Sequence, residues 1–450
     1  LNAITRIANF SVGFDPGYVS EDMRKACALT LLDTYAVAVA GVAEPAYIAA
    51  RRYLSSLEGI AEYRATAWGD SSVMPVEAAA LVNGIAAHVL DYDDVSAVLR
   101  GHPSVVLWPA LACLAEAENV ATKRLASAYV VGFEVMIKLA RAYAMEHYAA
   151  GWHSTASIGI IGATAACAHL LQLNEAETGH AIGLAAAQAG GIRQNVGTQA
   201  KSFQAGQANA AAVRSALMAR AGFESSTEAL DGEFGYFTLY AQKKLADGVL
   251  NSLGEPLLEF SRCGVDIKKY PMCYATHRAL DAVFDLMAAH DIEPQNVDAV
   301  NVKTSSAALV PLIHPFPQKG LEGKFSMQYG VAAALLDGRI RLDSFSDMAV
   351  QRPGITALMP RITSEETLEP STPRWAEVSI KMKGGTSYVQ RVETLRGSAA
   401  APLSEAEMIG KVQDCLTWAR RSDDAARVFA AAMRLGDGNS RAYFHQLCSG

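Results

Sequence analysis

From Ser20 to about Leu258 the sequence is a succession of alanine- and glycine-rich helical segments that carry little charge. A helix that is apolar on every side has to be buried on every side, and small side chains let helix axes approach closely. This texture restricts the chain to a tightly packed, mostly buried helical domain, and the scarcity of charge suggests burial between subunits.

Local signals place the helices. Ser20 before Glu21 and Asp22 predicts an N-cap with acids in the first turn, where the helix dipole favours them. That helix runs toward Gly41. Further helices are predicted over about Pro75–Leu90, Ser104–Glu118, Thr122–His147, Thr155–Leu173 and Gln204–Ala221, and Asn174 with Glu177 makes a capping box. The most apolar run, about Ile158 to Leu173, falls short of the ~20 residues that span a bilayer and is expected to be a core helix.

The texture changes near Cys263. After a helix at about Thr276–His290, Val297–Thr304 alternates apolar and polar residues as a half-buried strand does. Ala376–Lys383 and Ser387–Leu395 alternate likewise around Gly384-Gly385-Thr386, a hairpin signal. A helix at about Ser326–Asp337 stops at Gly338. From Ser404 the pattern is helical again. The expected fold is mainly α: a large helical domain (1–264), a smaller α+β lid domain (265–396) and C-terminal helices (397–450) that return to the helical domain.

Bulk composition narrows the partners. The 450-residue chain is 51% hydrophobic with a net charge of −7, which argues for a folded protein and against nucleic acid or an anionic membrane as partner. An anionic small substrate reads only the local field and stays possible. Seven scattered cysteines without a C-x-x-C pair fit reduced thiols, hence a cytoplasmic location.

One stretch interrupts the apolar pattern with dense charge: Asp91-Tyr92-Asp93-Asp94, followed by Arg100-Gly101-His102-Pro103-Ser104. Three readings compete: a polar helix end, a metal site, and an anion site with an acid/base group. Asp91 and Asp94 at i, i+3 would share a helix face and could hold Mg²⁺ against a diphosphate, as in a helical isoprenoid-type enzyme. No second acidic cluster follows on a later helix to support it. In the third reading His102, just before Pro103, sits at a helix start beside free N–H groups, where an imidazole can stay neutral and act as a base. Gly151-Trp152-His153-Ser154-Thr155 repeats the arrangement, and two such histidines strengthen the acid/base reading. Lys201 on a glycine-lined turn before Gln204 could bind a carboxylate. Lys268, Lys269, Tyr270, Cys273, Tyr274 and His277 gather where the composition changes, and Tyr329 follows Lys324. Neither an H-E-x-x-H motif nor paired cysteines are present for zinc, and no metal or cofactor is expected.

At these residues the chain resembles the MmgE/PrpD family, whose reactions include 2-methylcitrate dehydration, cis-aconitate decarboxylation and iminodisuccinate epimerisation. The resemblance rests on Asp91-Tyr92-Asp93-Asp94 with His102-Pro103, Gly151-Trp152-His153, Lys201, Lys269-Tyr270-Pro271 with His277, and Lys324-Phe325-Ser326 followed by Ala334-Leu335-Leu336-Asp337-Gly338. It implies a homodimer with a metal-free site lined by Asp91, His102, His153, Lys201, Lys269 and Tyr329, the last as a catalytic group, with Arg100, Lys268, Tyr274 and His277 binding substrate. Two positions depart from the family: Val95 where many relatives have threonine, and Gln204 where many have histidine. The leading expectation is a metal-independent lyase of the 2-methylcitrate dehydratase type acting on a small polycarboxylate. The alternative is a cofactor-independent epimerase of an amino- or imino-dicarboxylate, toward which the wording around Arg100 and Trp152 leans.

Overall fold

Helices of the first 220 residues form where their caps and apolar runs place them. In the computed structural model, which describes residues 2–55, 63–70, 72–241, 249–370 and 373–448, Ser20 accepts from Met23 N and opens the helix Glu21–Gly41. Val76–Val89, Ser104–Glu118 and Thr122–Ala149 follow. Asn174 and Glu177 close their capping box at the start of Glu175–Ala186. Two expectations are corrected. The predicted Thr155–Leu173 helix is two helices, Ser154–Ser157 and Gly159–Leu171, that meet at Ile158. The helix expected from Gln204 starts at Gln199 with Thr198 as its N-cap, so Lys201 lies in its first turn and not on a turn before it.

The chain divides into two compact units, residues 1–266 with 408–450, and 267–407. The second unit runs past the expected boundary at 396, because Ile267 N donates to the Gly397 carbonyl at 2.8 Å and holds that stretch.

In the first unit the helices Val76–Val89 and Gln199–Arg220 lie against each other at glycines. A Cβ on Gly206 would stand 2.4 Å from the Leu81 carbonyl oxygen, and one on Gly84 2.8 Å from the Gly206 Cα. Only glycine permits that approach, and it brings the C-terminal end of one helix to the N-terminal end of the other. Asn209, also on the second helix, ties in a third: its side chain accepts from Ala110 N and donates to the Val105 carbonyl. The segment Ser154–Leu171 is long and apolar enough to cross a membrane by composition, and it is 89% buried inside this unit, as expected for a core helix.

The second unit is built on a four-stranded sheet ordered Ile362–Glu366, Val297–Thr304, Ala376–Met382, Ser387–Val392. The first pair is parallel and the others antiparallel. The strand Ile362–Glu366 carries weak alternation and was not expected. Helices His277–Ala289 and Met327–Asp337 bury Leu280, Val283, Val331 and Leu335 with Val300, Val302, Val378 and Ile380 of the sheet. The architecture is mainly α with a smaller α+β part.

Candidate active site

The charged run of the sequence is a turn. Residues 91–94 leave the end of the Val76–Val89 helix in an irregular path, with Asp91 at φ 51°, a left-handed conformation that aspartate tolerates better than most residues. The expected shared face for Asp91 and Asp94 is therefore corrected: they meet different partners. Asp91 forms an ion pair with Lys201, whose side chain comes from the first turn of Gln199–Arg220. Asp94 accepts from Ser104 N at 3.2 Å and from the Ser104 hydroxyl, and so caps the helix Ser104–Glu118. The first N–H of that helix is therefore already taken and is not open to an anion, as the sequence had suggested.

Asp93 lies between two imidazoles. Its Oδ2 accepts from His88 Nδ1 at 2.8 Å and stands 3.1 Å from His102 Nδ1. His102 Nε2 lies 3.7 Å from Asp91 Oδ1. The His88 ring meets His102 edge to face at 4.6 Å between centroids and stacks on His153 at 5.8 Å. His153 is the N-cap residue of Ser154–Ser157 by position, yet its side chain makes no capping bond. Its Nδ1 lies 2.8 Å from Gln204 Oε1. Lys201 and Gln204, at i and i+3, project from one face of their helix. One buried site thus holds His88, Asp91, Asp93, His102, His153, Lys201 and Gln204.

Burial and charge set the protonation states. Burial, opposed by Asp93 and aided by the Lys201 charge, pushes His88 down to about 4. Burial, then the charges of His88, Lys201 and His102, hold His153 well below the ordinary imidazole range. Burial alone would raise Asp93, but the two imidazoles beside it more than offset that and keep it well below the carboxylate range. At neutral pH the site contains neutral His88 and His153 around an ionised Asp93.

The back of the turn is held differently. Lys411, from the helix Glu405–Trp418, pairs with Asp33, donates to the Tyr92 carbonyl at 2.8 Å and lies 4.0 Å from the centre of the Tyr92 ring. Burial and the nearby Asp33 raise Asp94 well above the usual carboxylate range.

Among the described residues, ring nitrogens of His88 and His102 and a carboxylate oxygen of Asp93 lie within 4.8 Å of one another, close enough to surround a cation. The 2.8 Å His88–Asp93 contact is an ordinary hydrogen bond, and the Lys201 charge that bears on His88 opposes a second cation there. The arrangement reads as a hydrogen-bonded acid/base set.

Of the residues expected from sequence, Asp91, His102, His153 and Lys201 come together. Arg100, in the same unit, lies 5.6 Å from the centre of the Tyr148 ring, which Arg193 covers at 4.0 Å. The others belong to the second unit. Lys268 is buried. Lys269 pairs with Glu407 at 2.7 Å and, by that hydrogen bond first, draws the Glu407 carboxyl down to about 2. Tyr274 and His277 pack ring to ring at 5.7 Å, and His277 Nε2 faces the Met272 carbonyl. Tyr329 is buried and its hydroxyl donates to the Ser344 carbonyl. His88, Asp33 and Lys411 were missed. His88 closes an apolar helix three residues before Asp91, and that position was the available signal.

One helical unit thus buries imidazoles, carboxylates and an ammonium in one site. Residues 5–247 match the MmgE/PrpD N-terminal domain and residues 270–435 the MmgE/PrpD C-terminal domain. The chain belongs to the MmgE/PrpD family and is a lyase-type enzyme. It is 27% identical over 410 residues to a cis-aconitate decarboxylase of Homo sapiens, covering 88% of this chain and 84% of that protein. It is 29% identical over 364 residues to the Mus musculus cis-aconitate decarboxylase, covering 77% and 73%. The Aspergillus terreus cis-aconitate decarboxylase is 25% identical over 346 residues, 70% of each chain.

Proposed function

We propose that the chain is a metal-independent lyase of a small polycarboxylate, working by proton transfer at a carbon beside a carboxylate. The observation that carries this reading is the meeting of two imidazoles, His102 and His153, with the Lys201 ammonium in one buried site. Charge that develops beside a carboxylate collects on an oxygen that already bears one. A fixed cation in a dry site is the group that meets it, usually the largest catalytic effect. In dehydration one imidazole takes a proton from carbon and the other gives one to the leaving hydroxyl; in decarboxylation the departing carbon dioxide leaves its electron pair on carbon, and a protonated imidazole gives that carbon a proton. The decarboxylase names of the relatives support an unsaturated tricarboxylate as substrate, and the same residues serve a hydro-lyase. Epimerisation of an amino- or imino-dicarboxylate is the second reading. It is favoured by the presence of two separate imidazoles, His102 and His153, in the one site, since epimerisation takes a proton from one face of a carbon and returns one to the other. A cytoplasmic homodimer is the proposed setting; seven free cysteines are consistent with that compartment.

The test is a screen in D₂O with cis-aconitate, saturated tricarboxylates and amino-dicarboxylates. Ultraviolet absorbance reports a double bond made or lost, evolved carbon dioxide reports decarboxylation, and optical rotation reports epimerisation. Deuterium at carbon in a decarboxylation or epimerisation product, or loss of a carbon-bound hydrogen label from the substrate in dehydration, is the expected result. Turnover that shows neither overturns the proton-transfer reading.

A further inference from the structure

We propose that Gln204 is a positioning residue that holds His153 as its Nδ1–H tautomer, leaving Nε2 as the basic nitrogen of the site. This deepens the proton-transfer reading above and rests on it.

The argument follows from two hydrogen bonds. Gln204 Nε2 donates to the Ile192 carbonyl oxygen at 3.2 Å, and an oxygen cannot take that position, because two acceptors would face each other. The amide orientation is thereby fixed, and Gln204 Oε1 points at His153 Nδ1, 2.8 Å away. Oε1 is only an acceptor, so Nδ1 must carry the hydrogen. A neutral imidazole has one N–H, and the burial and neighbouring charges described above keep this ring neutral. Its lone pair is therefore on Nε2, for which no hydrogen-bond partner is found among the described residues.

The backbone supports the same geometry. His153 N donates to the Gly191 carbonyl at 3.0 Å, Arg193 N donates to the Gly151 carbonyl at 2.8 Å, and Trp152 bridges Ile192. The carbonyl that orients Gln204 thus belongs to the strand segment that holds the histidine. Gly191, at φ 109°, is needed for this closeness: a Cβ there would stand 3.1 Å from Gln204 Oε1 and 3.1 Å from Ala156 Cβ. The stretch around Gly191 and Ile192 is the seat of the tautomer lock. A glutamine accepts one hydrogen bond from the ring without adding charge; that bond works against the burial and the charged neighbours that keep the ring neutral, and it is the smallest of these influences.

The ionisable neighbours of His153 are His88 at the end of Val76–Val89, His102 from the following loop, and Lys201 on the helix of Gln204, with Asp91 and Asp93 behind them. Gln204→Glu places a carboxylate on Nδ1–H within this set and stabilises the protonated ring. The acid limb of kcat/KM should then move up by about one to three pH units. Gln204→Leu removes the lock and should lower kcat by about tenfold or more with KM within about twofold, since it disturbs orientation and not binding. ¹⁵N shifts of His153 in histidine-labelled protein provide a readout that needs no turnover. The wild type should show a protonated Nδ1 and a bare Nε2, and Gln204→Leu a mixture of tautomers. A bare Nδ1 in the wild type, or an unmoved acid limb in folded Gln204→Glu, overturns the proposal. A correct tautomer in a protein whose turnover neither places deuterium at carbon nor removes a carbon-bound hydrogen label sinks the proton-transfer reading and leaves the lock standing.

Discussion

The two sides of the Asp91–Asp94 turn are made of the same residue type and do opposite things. On the front, Asp93 is ionised because two imidazoles face it, and Asp91 pairs with Lys201. On the back, Asp94 is pushed toward the neutral acid because the charges nearest it are other carboxylates, and it spends its oxygens on a helix cap. Burial is complete on both sides. What differs is the partner, and the partner decides whether a buried carboxyl group supports chemistry or architecture.

Four experiments press on this contrast. The largest effect belongs to the front: His102→Ala and His153→Ala should each lower turnover by about 10²–10⁴, measured as initial rates with stability checked by denaturant titration. Full activity in either removes that residue from the mechanism. Next is the back: Lys411→Met leaves Asp33 without its cation and should cost about 3–5 kcal/mol in urea unfolding. A loss confined to rate would mean that the back of the turn belongs to the chemistry. Third is acid. His88 is held near 4 in the folded chain and returns to about 6.5 when unfolded, so its contribution is complete above pH 6.5 and is lost as pH falls toward 4. Over that window it should amount to about 3 kcal/mol, seen as a weaker pH dependence of unfolding in His88→Phe than in the wild type. The smallest effect is expected from Asp94→Asn. An amide retains an oxygen for Ser104, and the charge removed was already suppressed, so stability should change by under about 1 kcal/mol. A large loss of activity there would show that Asp94 works as an anion and would erase the distinction between the two sides.

Much of this was legible in the sequence, and the limits have physical reasons. Ser20, Asn174 and Ser326 marked their helices because capping is local and reads directly from residue type. His102, His153 and Lys201 stood out as polar residues inside apolar surroundings. The second helix of the site was placed five residues late because Gln199 to Phe203 looks like a loop until Thr198 is recognised as its cap. For Tyr329 and the lysines near residue 269, residue type names candidates, and the contacts described for Tyr329 and Lys269 lie within their own unit. Gln204 read only as a departure from the histidine that many relatives carry. Its role depends on a carbonyl twelve residues away along the chain, and only three-dimensional structure supplies that neighbour.

The contact between Lys411 and the Tyr92 carbonyl joins residues 319 positions apart. During synthesis on a ribosome, the turn that carries Asp91 and Asp93 emerges early and waits for its anchor until the second unit has been made. The helices of the first unit can assemble in that interval, since domains fold as they emerge. The reactive turn cannot be completed with them. Completion of this turn is therefore a late event in the life of the polypeptide, coupled to arrival of the helix Glu405–Trp418.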